Sequence, residues 1–165
     1  MGIPVVSPSP VSGCSSPDPS GVALIDGLWR SCGARVRTLE PAVHDRIFAA
    51  VSHLPHLLAF ALVDMLAGRG DAAEFFRYAA SGFRDFTRIA AGSPEMWRDI
   101  SYANRDALLA EVDAYRNQLD RARALLAAGD AGGLEQMFAQ ASSARRAWGA
   151  DVGTGSSVAD GARER

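Results

Sequence analysis

From Pro41 to Trp148 the apolar residues keep helical spacing, and no strand pattern interrupts them. Apolar positions three and four apart share one helix face, so this stretch can bury itself only as packed helices. Pro41 suits a first helical position. Ile47, Val51, Leu54, Leu58, Leu62 and Leu66 form a stripe that ends at Gly68-Arg69-Gly70. Asp71 and Glu74 have capping-box spacing before EFFRYAA, and Gly82 breaks or bends that helix. FRDFTRIA, residues 83–90, resumes it. Ser93-Pro94 is a strong start, and from there Met96, Ile100, Leu108, Val112, Tyr115, Leu119 and Leu126 trace one face to Gly129. Roughly thirty-odd residues at about 1.5 Å each predict one long helix near 50 Å, part of which packs on another subunit. A last helix is expected over about Ala131 to Trp148, with Leu134, Met137, Phe138 and Ala141 inward.

The first forty residues read differently. Ile3 to Val6 suits a short strand, and the Pro/Ser/Gly-rich run after it suits a loop. Ser20 would cap a helix carrying Val22, Ile25, Leu28, Trp29 and Cys32, with Gly33 at its end. Ala34 to Leu39 alternates as a strand does. Strand, helix and strand make one βαβ crossover, which cannot bury its own faces. The expected organisation is therefore a βαβ remnant of a larger domain (1–40), an all-helical domain (41–148) and a disordered tail (149–165).

Composition narrows the classes. The net charge is -2, and the 17 basic residues are scattered arginines, which argues against a nucleic-acid footprint. The start lacks a signal-peptide pattern, and no apolar run reads as long enough to span a bilayer. A cytoplasmic protein with no membrane partner follows. Of the two cysteines, Cys32 reads as a small core residue and Cys14 as a loop thiol.

The chemistry concentrates in three places. AVSHLPHLLAF, residues 50–60, sets His53 and His56 on one helix face with Pro55 between them. Zinc needs at least a third protein ligand, and none is spaced to supply it. Pro55 lacks a donor and crowds the carbonyl four residues back, at Val51. Either an imidazole N–H satisfies a freed carbonyl, or the kink aims one imidazole into a cavity. In FRDFTRIA, Asp85 stands three residues before Arg88, so they can pair beside Phe83 and Phe86. Either this is a solvated salt bridge that contributes little, or the held guanidinium grips a carboxylate through parallel hydrogen bonds. In SPEMWRDI, Trp97 reads as a core or interface residue, with Arg98 and Asp99 as surface charges. There is no glycine-rich loop after a strand, no Walker loop and no nucleophile elbow.

Taken in order, HDRIFAAVSHLPHLLAFAL, SGFRDFTRIA, SPEMWRDI and YANRDALL resemble the prephenate dehydrogenase family, which includes arogenate and cyclohexadienyl dehydrogenases. The resemblance runs from about Ile3 to Trp148. It implies the end of a nucleotide-binding domain followed by a helical domain that forms a homodimer and half of the active site. It further implies oxidative decarboxylation of prephenate or arogenate with NAD or NADP, in tyrosine biosynthesis. His56 is then expected in the substrate pocket, Arg88 on a substrate carboxylate, and Asp85 organising Arg88 or the cleft mouth. Ser52, His53 and Trp97 are expected neighbours. The family's glycine-rich loop, acidic ribose-binding residue and catalytic histidine have no counterpart here, so no catalytic or cofactor-binding residue is assigned. The chain alone is expected to be inactive, whether truncated, mis-started or partnered by a separate nucleotide-binding half. The alternative is a non-catalytic dimerisation module that binds tyrosine or a dicarboxylate.

Overall fold

Asp18, not Ser20, caps the first described helix. Its carboxylate accepts from the Ser20 hydroxyl and from the Ser20 and Gly21 amides. Those bonds, the hydroxyl's first, hold the carboxyl below the ordinary range. Helix α1 then runs Pro19–Ser31, with proline in its first turn. It ends at Gly33, whose φ of 80° is the left-handed conformation that glycine adopts freely. The computed structural model describes residues 18–154, with side chains through residue 149.

The βαβ expectation is not met where it can be followed. Ile3 to Val6 and Cys14 lie outside the described residues. Ala34 to Leu39 forms no strand; Thr38 has an isolated bridge only. An alternating pattern becomes a strand only when neighbours complete its ladder. Cys32 is exposed rather than in a core.

Every regular element among the described residues is helical. Helix α2 covers Pro41–Phe48. A π-helical turn, Ala49–His53, joins it to α3, Leu54–Ala67. Helix α4 is Ala72–Arg77 and α5 is Ser81–Thr87. The Asp71 side chain makes no cap bond, so the capping box is not formed. The chain leaves the helix at Tyr78 to Ala80, just before Gly82. A 3-10 turn, Arg88–Ala91, follows. Helix α6, Pro94–Ala103, begins as expected, with the Ser93 hydroxyl accepting from the Met96 amide.

The single long helix is corrected. It breaks at Asn104, where φ is -113° and ψ is 35°. Helix α7, Arg105–Ala128, restarts there, and α8 is Ala131–Thr154, each of 24 residues. The expected tail is thus helical through Thr154.

The chain divides into two compact units, residues 1–113 and 114–165. In the first, α3 packs against the π turn, α4, α5 and the 3-10 turn. Its buried hydrophobics are small or few: Ala49, Leu54, Ala59 and Leu108. Ala49 and Ala59, both 0% exposed, allow close approach of the backbones around them. On α1, by contrast, Leu24, Leu28 and Trp29 are exposed. In the second unit, the end of α7 and α8 form a hairpin that turns at Gly129, φ 65°. Asp130 caps α8 by accepting from the Gly133 amide. A Cβ on Gly133 would lie 2.7 Å from Leu125 Cδ2, so the two helices meet closely there. Phe138, expected inward, is exposed.

The continuous helical stretch Pro41–Ala67 is long and apolar enough to cross a membrane by length and composition, with mean hydropathy 1.6. The expectation of no such run is corrected accordingly. The stretch nevertheless carries His44, Asp45, Arg46, His53, His56 and Asp64. Ionisable groups at that density are costly in a bilayer.

Candidate functional site

Pro55 falls directly after the π turn. The wider turn bonds the Leu54 amide to the Ala49 carbonyl, five residues back. This shifts the carbonyl register that the proline ring would otherwise crowd. His56 Nδ1 lies 2.8 Å from the Ser52 carbonyl, four residues back. A carbonyl only accepts, so Nδ1 carries the proton. The carbonyl that the imidazole meets is that of Ser52, not of Val51.

The same ring is also aimed. His56 stacks on Trp97 of α6 at 3.5 Å between centroids and 20° between planes. One imidazole thus both bonds the backbone of the π turn and stacks on Trp97. His53 meets Trp97 edge-on at 6.5 Å. Trp97 in turn lies against Gly92, where a Cβ would come within 3.0 Å of the indole nitrogen.

Between α3 and α6 opens a cleft of about 280 Å³. His56, Leu57 and Phe60 line one side; Pro94, Trp97, Arg98, Ser101 and Tyr102 line the other. It is an apolar slot with few polar groups, as small-molecule sites usually are. Its cation is Arg98, whose Nε and an Nη lie 2.8 and 2.7 Å from Asp99. Arg98 is exposed, as the surface role read from sequence expects, and it also lines the cleft.

His53, His56, Trp97 and the Ser52 backbone are brought together. Asp85 and Arg88 are not among the cleft-lining residues. Arg88 opens the 3-10 turn that packs on α3, and is exposed. Among the described residues neither Asp85 nor Arg88 has an ion-pair partner, so the expected pairing is corrected. The helix changes type between them, where the Thr87 hydroxyl donates to the Phe83 carbonyl at 2.7 Å. Regular helical spacing does not carry across such a change. No metal-binding group of three His, Cys, Asp or Glu occurs among the described residues.

Sequence reasoning missed Asn104. It is the buried polar residue of the described chain, and its Nδ2 donates to the Asp45 carbonyl at 2.7 Å. It also faces His53 Nδ1 at 3.2 Å. Asparagine is a poor interior helix residue and a good cap, and Asp106 follows in the next first turn. That was the available signal.

His53 titrates below the ordinary histidine value. Burial is the main cause, the neighbouring His44 adds to it, and Asp45 opposes it. A folded pKa below the unfolded one means that the unfolded chain takes up the proton first. The contribution to stability is full above about pH 6.5 and is lost as pH falls through the folded pKa. His53→Asn keeps an acceptor but cannot titrate. Denaturant melts from pH 7.5 to 5 should show a shallower loss of stability in this variant than in wild type. Parallel pH profiles would refute the assignment.

The comparisons bear on this geometry. Residues 40–140 match the family model described as the prephenate dehydrogenase dimerization domain. The chain belongs to the prephenate dehydrogenase family. A cyclohexadienyl dehydrogenase of Zymomonas mobilis is 35% identical over 128 residues, 76% of this chain and 44% of that protein. A prephenate dehydrogenase of Bacillus subtilis is 34% identical over 122 residues, 73% of this chain and 33% of that protein. Among solved structures, the prephenate dehydrogenase from Aquifex aeolicus in complex with hydroxyphenyl propionate and NAD+ aligns with a TM-score of 0.73. It is 31% identical, over 86% of this chain and 48% of that one. Synechocystis arogenate dehydrogenase aligns with a TM-score of 0.70 at 28% identity, over 87% of this chain and 51% of that one. The chain thus spans about a third to a half of these prephenate dehydrogenase family members.

Proposed function

We propose that this chain is the substrate-binding and dimer-forming portion of a cytoplasmic prephenate or arogenate dehydrogenase. Residues 41–148 would form that portion, and residues 1–40 would belong to the nucleotide-binding side. The complete reaction would be NAD- or NADP-dependent oxidative decarboxylation on the way to tyrosine. The observation that carries this reading is the His56–Trp97 stack walling an apolar cleft inside the matched domain.

The chemistry of the cleft suits a ring-bearing carboxylate. Trp97 and Phe60 offer flat apolar surface, and His56 keeps Nε2 available after Nδ1 is committed to Ser52. Outside the cleft lining, Arg88, with no ion-pair partner among the described residues, would hold a carboxylate reaching beyond the slot, and Asp85 would shape access. Without a glycine-rich nucleotide loop or the family's catalytic histidine in its sequence, the chain alone would bind substrate but transfer no hydride. A separate nucleotide-binding half would be required for turnover.

Calorimetry on the purified chain should show binding of prephenate and of hydroxyphenyl propionate. Arg88→Ala should weaken binding about 10- to 100-fold, the loss expected of a charge-assisted pair. No turnover should appear with NAD+ or NADP+. Turnover by the chain alone would overturn the inactivity, and absence of binding would overturn the site.

A further inference from the structure

We propose that Asn104 is a positioning residue for the cleft: it locks His53 in the neutral Nε2–H form and so fixes the turn that presents His56 to Trp97. Asn104 is 9% exposed and sits at the break between α6 and α7. Its partners are 59 and 51 residues away in sequence. A buried carboxamide with bonds of that range is there to join elements.

The atoms decide the direction of each bond. The Asp45 carbonyl can only accept, so the atom 2.7 Å from it is the amide NH2 of Asn104. That NH2 has a second hydrogen, and it faces His53 Nδ1 at 3.2 Å. Nδ1 must therefore be the bare nitrogen, and the neutral ring carries its proton on Nε2. A doubly protonated His53 would set N–H against NH2 in a buried place. His56 has the opposite tautomer, because its Nδ1 donates to the Ser52 carbonyl. Two histidines three residues apart are thus held in opposite forms, one from α6's end and one from the π turn's own backbone.

The consequence concerns the cleft walls. Helix α6 carries Trp97, Arg98 and Tyr102; the π turn and α3 carry His53 and His56. Asn104 ties the end of the first wall to the base of the second. The relevance to a ligand rests on the function proposed above, whereas the tautomers do not depend on any ligand. The titratable groups facing His53 are His44 and Asp45 from α2 and His56 from α3, with Trp97 as the aromatic neighbour from α6.

Histidine-15N labelling of the full chain and long-range proton–nitrogen spectra at pH 7.5 test this. Wild type should show His53 as Nε2–H and His56 as Nδ1–H. Asn104→Asp separates positioning from capping, because aspartate caps a helix as well as asparagine does. It cannot donate to Asp45 or His53, and its charge should raise the His53 midpoint by about one to three pH units. The His56 signals should shift with it as the stack on Trp97 loosens. A wild-type His53 with Nδ1–H overturns the proposal without any variant, as does a folded Asn104→Asp chain whose His53 titration is unmoved. Correct tautomers in a chain that binds no ligand would support the proposal and count only against the proposed function.

Discussion

If the chain forms the proposed homodimer, Phe138→Glu should sediment as a monomer at concentrations where the wild type is dimeric. No hydrophobic side chain of residues 114–149 is fully buried. Leu119, Leu126, Phe138 and Trp148 are all exposed. A two-helix hairpin with such faces is not stable in water unless something covers them. The family match to a dimerization domain argues for a second copy. Ala131, Leu134, Phe138 and Ala139 line an apolar groove along α8 that would receive it. In a two-fold dimer each substitution counts twice. Losing two buried phenylalanines and burying two unpaired carboxylates costs about 6 kcal/mol or more, on the order of 10⁴ in the dissociation constant. Gln140→Glu adds the same charge to the exposed opposite side of α8 and should leave the dimer intact. A Phe138→Glu dimer of wild-type affinity would show that α8 is not the docking face.

The helical reading of residues 41–148 was open to sequence because its signals are local. Pro41, Ser93-Pro94 and Gly129 act through their own φ angles and donors, so their roles survive any tertiary context. The π turn was not legible. It adjusts the backbone around Pro55, and the same apolar stripe reads equally well through an unbroken α-helix. The break at Asn104 was half legible. The residue type announced a cap, but the apolar stripe continued past it on both sides. The break is anchored by a bond to Asp45, 59 residues away, which no local pattern reveals. Ala34 to Leu39 failed in the opposite sense. Its alternation is real, but strand structure is a property of a sheet, not of one segment. At the site, proline chemistry and family resemblance both drew attention to His56, which lines the cleft. Arg98 is an exposed charge beside Asp99, as the sequence suggests, yet it also lines the cleft. Only the position of α6 against α3 turns it to the cleft.

Trp97→Ala should remove ligand binding from the cleft while leaving most of the fold in place. The indole is one whole wall: it stacks on His56, meets His53 edge-on and closes against Gly92. An aromatic pair of this kind contributes about 0.5–1.5 kcal/mol beyond its buried area. The apolar surface offered to a ligand ring adds a further share of similar size or larger. Together these predict a loss of about 100-fold or more in affinity for hydroxyphenyl propionate, near 2.7 kcal/mol. Trp97 is half-buried, so the stability cost should stay well below the 3–5 kcal/mol typical of a buried tryptophan truncation. Trp97→Phe keeps a ring against His56 and should recover part of the affinity. That recovery separates the stacking role from simple loss of volume. The His56 signals should shift in the alanine variant even without ligand, because the ring current above them is gone. If Trp97→Ala binds the ligand as tightly as wild type, the cleft between α3 and α6 is not where this chain holds its substrate.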